Sequence, residues 1–199
     1  MSTLSEAAIS GLLEPYLDPP PAILSRLSEY LDLLLRWNAR TNLTAIRNPE
    51  EIVRRHFGES LFAASNLGDP DTLLDLGSGA GFPGLPIALL RPEIRVILAE
   101  SQNKKATFLR EAVRTLGLPN VEVWAARAES LPAERRFHTV TLRAVDDMAV
   151  AIAAAAPRAT HQLVLLASAS PILPSEFHPE PPIPIPNTAS AALLRAKRK

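Results

Sequence analysis

The chain has no cysteine among its 199 residues, which removes disulfides, thiolate metal sites and cysteine nucleophiles at once. It has no long apolar run either: the longest, Met148 to Ala156, is far too short to cross a bilayer. The first twenty residues carry Glu6, Glu14 and Asp18 but no basic residue, the wrong charge for a secretory leader. A soluble, cytoplasmic protein with no membrane partner is expected. Net charge is absent too, 21 Lys plus Arg against 21 Asp plus Glu, so no global field draws the chain to nucleic acid. The four histidines show no ligand spacing, and no metal is expected.

What is there suffices for one core: 47% of the residues are hydrophobic, enough for a single domain with an extension. Local charge is less even than the total. Arg36, Arg40, Arg47, Arg54 and Arg55 crowd one stretch, two Lys and two Arg fall between 104 and 114, and the chain ends in "RAKRK". Any one cluster reads as a solvated face or a frayed tail; the three together point to a polyanion.

Residues 21 to 40 place Ile23, Leu24, Leu27, Tyr30, Leu31, Leu34 and Leu35 at helical spacing behind Pro21. A shorter amphipathic pattern precedes it, and "NPEEIVRRHFGESLFAASNL" follows with Asn48 as N-cap and Pro49 as first helical residue. Residues 1–68 are expected to form a helical subdomain and 69–199 an α/β domain. From Thr72 short apolar runs alternate with helical ones, the pattern of parallel strands with crossover helices, whose ligands sit beyond the C-terminal strand ends. Seven prolines between Pro171 and Pro186 restrict "PPIPIP" to an edge strand or loop, and residues 191 to 198 read as a final strand.

Half of the eight glycines fall within "GSGAGFPG", residues 77 to 84, directly after the strand "LLDL". No lysine lies between residues 73 and 84, which removes a P-loop. "GAGFPG" formally fits a dinucleotide fingerprint, but the turn begins at Gly77, and counted from there the third glycine position is Phe82. Asp75 would also set a carboxylate beside a pyrophosphate. S-adenosylmethionine suits these residues better. It carries an ammonium and a sulfonium for Asp75, its methionine end can lie against bare backbone at Gly77 and Gly79, and Glu100, ending the second strand, can accept its ribose hydroxyls.

The acceptor is narrowed by chemistry. A C5-pyrimidine methyltransferase needs the missing cysteine, and "LRAVDD", residues 142 to 147, is not the Asp/Asn-Pro-Pro-aromatic element of exocyclic-amine methyltransferases. Acceptors with their own lone pair remain, such as guanine N7.

The run "GSGAGFPGLPIALLRP", joined to "WNARTNLT" and "RRHFGES", resembles the RsmG (GidB) family of small-subunit ribosomal RNA methyltransferases over nearly the whole chain. The resemblance implies a seven-stranded Rossmann-like α/β sheet with an N-terminal helical extension, a terminal antiparallel hairpin, and a monomeric enzyme that methylates guanine N7 of 16S rRNA in the small ribosomal subunit. It further implies that Gly77 and Phe82 contact the cofactor, that Ala128 and Glu129 hold its adenine, and that Arg143 completes the site beside the acceptor as its catalytic residue. Duller roles stand beside these: Phe82 packing the turn, Glu129 solvated, Arg143 paired with Asp146 or Asp147, His56 packed or at the surface, Asn42 and Thr44 capping or turning. The chain departs from the family at Ala167 and Ser168, where relatives usually carry Lys-Gly, and at Glu59, where they tend to Asp. A methyltransferase for a small molecule or protein, or a nonenzymatic RNA- or ribosome-binding module on the same fold, are the alternatives.

Overall fold

The structure, a computed structural model, describes residues 2–145, 147–169 and 171–199. Helix α1 (Glu6–Leu13) starts at Ser5, whose hydroxyl accepts from Ala8 N–H. Helix α2 (Pro21–Thr41) starts with proline at its first position and ends at Asn42 in the left-handed region, φ 46°, a conformation Asn tolerates. Asn48 caps the next helix by accepting from Glu51 N–H at 3.0 Å. The helix expected there forms, but not as a uniform α-helix: a short α3 (Pro49–Glu51) passes into a π-helical segment (Ile52–Gly58) and then α4 (Glu59–Ser65). The wider turn is used at functional sites more than elsewhere.

Among the described residues the sheet contains eight strands: β1 (Thr72–Leu76), β2 (Arg95–Ala99), β3 (Val121–Trp124), β4 (Phe137–Arg143), β5 (Ala159–Ala167), β6 (Phe177–Pro179), β7 (Ile183–Pro184) and β8 (Ala192–Arg198). Their order is β3-β2-β1-β4-β5-β8-β6, with β7 also on β8; the first five are parallel and β8 runs antiparallel. Helices α5 (Gly84–Leu90), α6 (Asn103–Thr115) and α7 (Met148–Ala155) fill crossovers. One strand more than the expected seven arises because the expected penultimate strand is broken around Pro181 and Pro182 into β6 and β7; both pieces pair antiparallel with β8. Strand order reverses between the parallel neighbours β1 and β4, the switch point where open α/β sheets leave a crevice.

Strand residues alternate between the faces. Leu73, Val96, Leu98 and Val164 share one core with α2, the π-helical segment and α4. Leu74, Val140, Leu142 and Leu165 share the other with Ala151, Ile152 and Ala155 of α7. The N-terminal helices thus lie over one sheet face, packed on α5 and α6, and bring their side chains to the crevice. No helix among the described residues is long and apolar enough to cross a membrane.

The "RAKRK" end is not a frayed tail. Arg195 and Lys197 both pair with Glu180, and Arg198 donates to the Ala156 and Ala159 carbonyls from within β8.

Candidate functional site at the sheet switch point

Two adjoining cavities open at the C-terminal ends of the strands. A helix-side cavity of about 550 Å³ is bounded by the glycine turn, Thr44, His56, Phe82, Glu100 and Arg143. A strand-side cavity of about 270 Å³ is bounded by Leu76, Gly77, Glu100, Ala128, Glu129 and Asp147. Gly77, Glu100 and Val145 line both. The structure therefore brings together Gly77, Gly79, Phe82, Glu100 and Arg143 on one side, and Gly77, Glu100, Ala128 and Glu129 on the other.

The turn after β1 is held by backbone that only bare residues allow. Gly81 sits at φ 93°, where a side chain would also run into Leu85 and the Tyr30 hydroxyl. At Gly84 a side chain would collide with Leu98 and the Asp75 carboxylate. Glu100 fixes the turn from the next strand: Oε2 accepts from Gly79 N–H at 2.9 Å and Oε1 from Gln102 N–H at 2.7 Å. Each carboxylate oxygen has two lone pairs, so both keep one acceptor position for a ligand hydroxyl.

Asp75 is the site residue the structure does not bring to either cavity. It is 1% exposed; its Oδ2 accepts from Gly84 N–H at 3.1 Å and its Oδ1 from the Thr141 hydroxyl at 2.8 Å. The parallel register, Asp75 beside Thr141, turns the carboxylate under the glycine turn instead of toward a ligand's positive end. Burial pushes its pKa up to about 6, against the lowering effect of the Thr141 and Gly84 hydrogen bonds. Asp75 anchors the turn to α5.

Arg143 lines the helix-side cavity, as expected of a residue completing the site, and does not take the duller role of pairing with Asp147. Its Nη2 donates to Glu59 Oε2 at 2.8 Å and to the Arg55 carbonyl at 2.9 Å, and its Nη1 to His56 Nδ1 at 3.0 Å. Asp147 instead caps α7 by accepting from Val150 N–H; Asp146 lies outside the described residues. A guanidinium only donates, so His56 Nδ1 accepts and the proton sits on Nε2, which donates to Thr44 Oγ1 at 2.7 Å. Burial, then the Arg143 and Arg55 charges, lowers the His56 pKa to about 3. Thr44 Oγ1 also accepts from Ile46 N–H, which leaves its own proton free to donate.

Phe82 both packs the turn and walls the cavity. It stacks on His56 at 4.7 Å and on Tyr30 at 5.3 Å between centroids, and Tyr30 donates to the Ala80 carbonyl. The loop before the π-helical segment is pinned by Asn38, which exchanges hydrogen bonds with Thr44 backbone N–H and C=O, both at 3.0 Å. Asn42 accepts from Arg47. Glu129 is exposed, while Ala128 beside it is buried.

Sequence reasoning missed the roles of His56, Thr44 and Glu59. The available signal was the polar run Arg54, Arg55, His56 and Glu59 interrupting a helix otherwise buried at Val53, Phe57 and Leu61. A separate cavity of about 460 Å³ lies at the N-terminal strand ends, with Arg95, Glu122 and Arg135. Its Arg135 is spent on both oxygens of Glu122, and it is remote from the switch point.

Residues 23–170 match the family described as rRNA small subunit methyltransferase G, GidB. The chain is similar to ribosomal RNA small subunit methyltransferase G of Nitrosomonas europaea, 46% identical over 63% of this chain and 58% of the relative. The protein of that name from Stenotrophomonas maltophilia is 46% identical over 74% of this chain and 66% of the relative. The chain thus spans about three-fifths to two-thirds of the length of these curated relatives. Among solved structures, magnesium protoporphyrin IX methyltransferase of Synechocystis, with bound SAM, superposes with TM-score 0.59 at 15% identity, covering 85% of this chain and 97% of that one. Precorrin-6y C5,15-methyltransferase of Geobacter metallireducens gives TM-score 0.51 at 16% identity over 70% and 85%. At such identities these two bear on the fold alone.

Proposed function

This chain belongs to the GidB family of small-subunit rRNA methyltransferases, and we propose that it methylates N7 of a guanosine in 16S rRNA with S-adenosylmethionine as donor. The observation that carries this reading is the pair of cavities joined across Gly77, Glu100 and Val145 at the switch point, where the donor set suits a phosphate-free nucleoside ligand. Glu100 offers a spare acceptor position on each oxygen to the two ribose hydroxyls. Ala128 and Glu129 border the smaller cavity, where they flank the adenine. Gly77 and Gly79 leave backbone bare for the methionine end, and Phe82 with His56 walls that end from solvent.

Bound there, the cofactor would supply an electrophilic methyl group with a thioether as leaving group, and guanine N7, which has its own lone pair, would accept that methyl without having to lose a proton. The side chains support an acceptor of that kind. His56, the imidazole lining the larger cavity, has its free lone pair engaged by Arg143, so it cannot serve as a base without breaking the site. What the chain contributes is positioning: Arg143 is clamped by three partners and fixes the end of β4 against the π-helical segment. RNA binding is supported by the basic residues of α2 and α6, helices joined by the Trp37–Glu111 hydrogen bond at 3.1 Å, whose exposed Arg36, Arg40, Lys104, Arg110 and Arg114 suit phosphates. The helical residues 1–68 then act as the RNA-docking part of the enzyme.

The test is methyl transfer from labelled S-adenosylmethionine to small subunits and to deproteinised 16S rRNA from a strain lacking this activity, with nucleosides identified by mass spectrometry. N7-methylguanosine is the expected product. Cofactor binding without transfer to any rRNA would overturn the substrate; no cofactor binding would overturn the reaction class.

A further inference from the structure

A third cavity, about 450 Å³, opens between the ends of β4 and β5, bounded by Arg55, Glu59, Arg143, Ala144, Ala167 and Ser168 among others. Glu59 is 5% exposed, and Arg143 occupies its Oε2. Its Oε1 is buried and has no hydrogen-bond partner among the described residues. The Arg55 Nε is 3.7 Å from it, beyond hydrogen-bond reach. Ala167 and Ser168 bring no cation from the end of β5. A carboxylate oxygen buried without a donor is expensive, and where a protein keeps one, a missing partner is the first explanation.

We propose that this cavity receives the target base of the rRNA, and that Glu59 Oε1 accepts from its N1–H and N2 amino group, making Glu59 the residue that selects guanine. This rests on the rRNA-methylation reading above. Among nucleobases only guanine presents an imino and an amino donor side by side on the edge that unpaired or flipped bases offer to proteins. Adenine and cytosine set a ring-nitrogen acceptor beside their amino group, and uracil flanks its imino group with carbonyl oxygens; each would place a lone pair against the carboxylate. Arg55 and Arg143 line both this cavity and the helix-side one, so a base held by Glu59 turns its opposite, N7-bearing edge toward the methyl donor. Arg55 covers Oε1 but its side chain is 58% exposed; it moves aside without disturbing the core, and a phosphate of the entering strand is a fitting partner for it.

The experiment uses 16S rRNA transcripts made with mixed GTP and ITP, naked and reconstituted into small subunits, because inosine lacks the N2 amino group but keeps N7. At the methylated position the ratio of N7-methylguanosine to N7-methylinosine is read by mass spectrometry against the guanosine-to-inosine ratio of the transcript. Wild-type protein is expected to favour guanosine tenfold or more, Glu59→Gln to bring the preference at least threefold toward unity, and Glu59→Asp to keep most of it. Comparing proteins on one substrate cancels the intrinsic difference in N7 reactivity, and calorimetric cofactor affinity shows that each variant keeps its site. A wild-type enzyme that methylates both nucleosides equally overturns the proposal whatever the variants do, as does a folded Glu59→Gln that keeps the wild-type preference. No methylation by the wild type on either nucleoside overturns the rRNA reading itself, and this proposal with it.

Discussion

Arg143 and His56 meet at 3.0 Å, an approach that only a neutral imidazole tolerates. With its pKa lowered from 6.5 to about 3, folded His56 binds its proton less tightly than unfolded His56 does. The group therefore contributes stability in full above pH 6.5 and loses it as pH falls toward 3. Urea unfolding of wild type and His56→Asn should differ by an amount that grows with pH across that window, with a slope of up to about 1.4 kcal/mol per pH unit. Asp75 has the opposite sign. Its folded pKa is raised from 3.8 to about 6, so its contribution is complete below pH 3.8 and is lost as pH rises through 6. Asp75→Asn keeps an acceptor for Gly84 N–H and should flatten that fall. Asp75→Ala orphans Gly84 N–H and should cost about 1–3 kcal/mol. The two side chains also mark what the sequence made legible. Glu100 and the glycine turn were readable because strand end, turn and following acid are local in the chain. Asp75 was misplaced because whether a strand-end carboxylate faces ligand or protein depends on its neighbour across the sheet, Thr141. The Arg143–His56 hydrogen bond joins residues 87 apart in sequence, and no local pattern announces it.

Among the elements, the Asn48–Pro49 helix start was legible because capping is local chemistry, whereas the π-helical segment was not, since its hydrogen-bond slip is settled by what packs on it: Phe57 stacks on Tyr30 at 5.1 Å while neighbouring His56 stacks on Phe82. The proline-rich edge shows more order than its composition suggests. Ile185 N–H donates to the Ala191 carbonyl, and Ile183 pairs with Leu193. Isoleucines thus occupy positions whose backbone faces β8, and Pro182, Pro184 and Pro186 alternate with them at positions facing outward, where a donor would be open to another chain. Replacing these three prolines by valine restores outward donors at a sheet edge. Concentration-dependent self-association in sedimentation is the expected outcome, with little change in cofactor affinity.

At the scale of the molecule, zero net charge conceals an uneven surface. The C-terminal cations are consumed by Glu180 and by backbone carbonyls, while those of α2 and α6 stay exposed beside the site. Reversing Lys104 and Arg110 to Glu should raise KM for rRNA without changing kcat or cofactor affinity. It should also flatten the log–log salt dependence of binding by about 0.7–0.9 for each phosphate no longer neutralised. Reversing Arg195, already paired with Glu180, should leave the salt dependence unchanged.

The ties that close this fold run late in the chain. Gln162 donates to the Leu67 carbonyl at 2.8 Å and Arg195 to the Asn66 carbonyl at 3.1 Å, spanning 95 and 129 positions. A ribosome adding about 5–20 residues per second delivers Arg195 on the order of ten seconds after Asn66. During that interval α1, α2 and α4 exist without the complete sheet that buries their apolar faces. For the nascent chain this unfinished stage, rather than the finished protein, is the one exposed to aggregation, and its duration is set by the speed of translation.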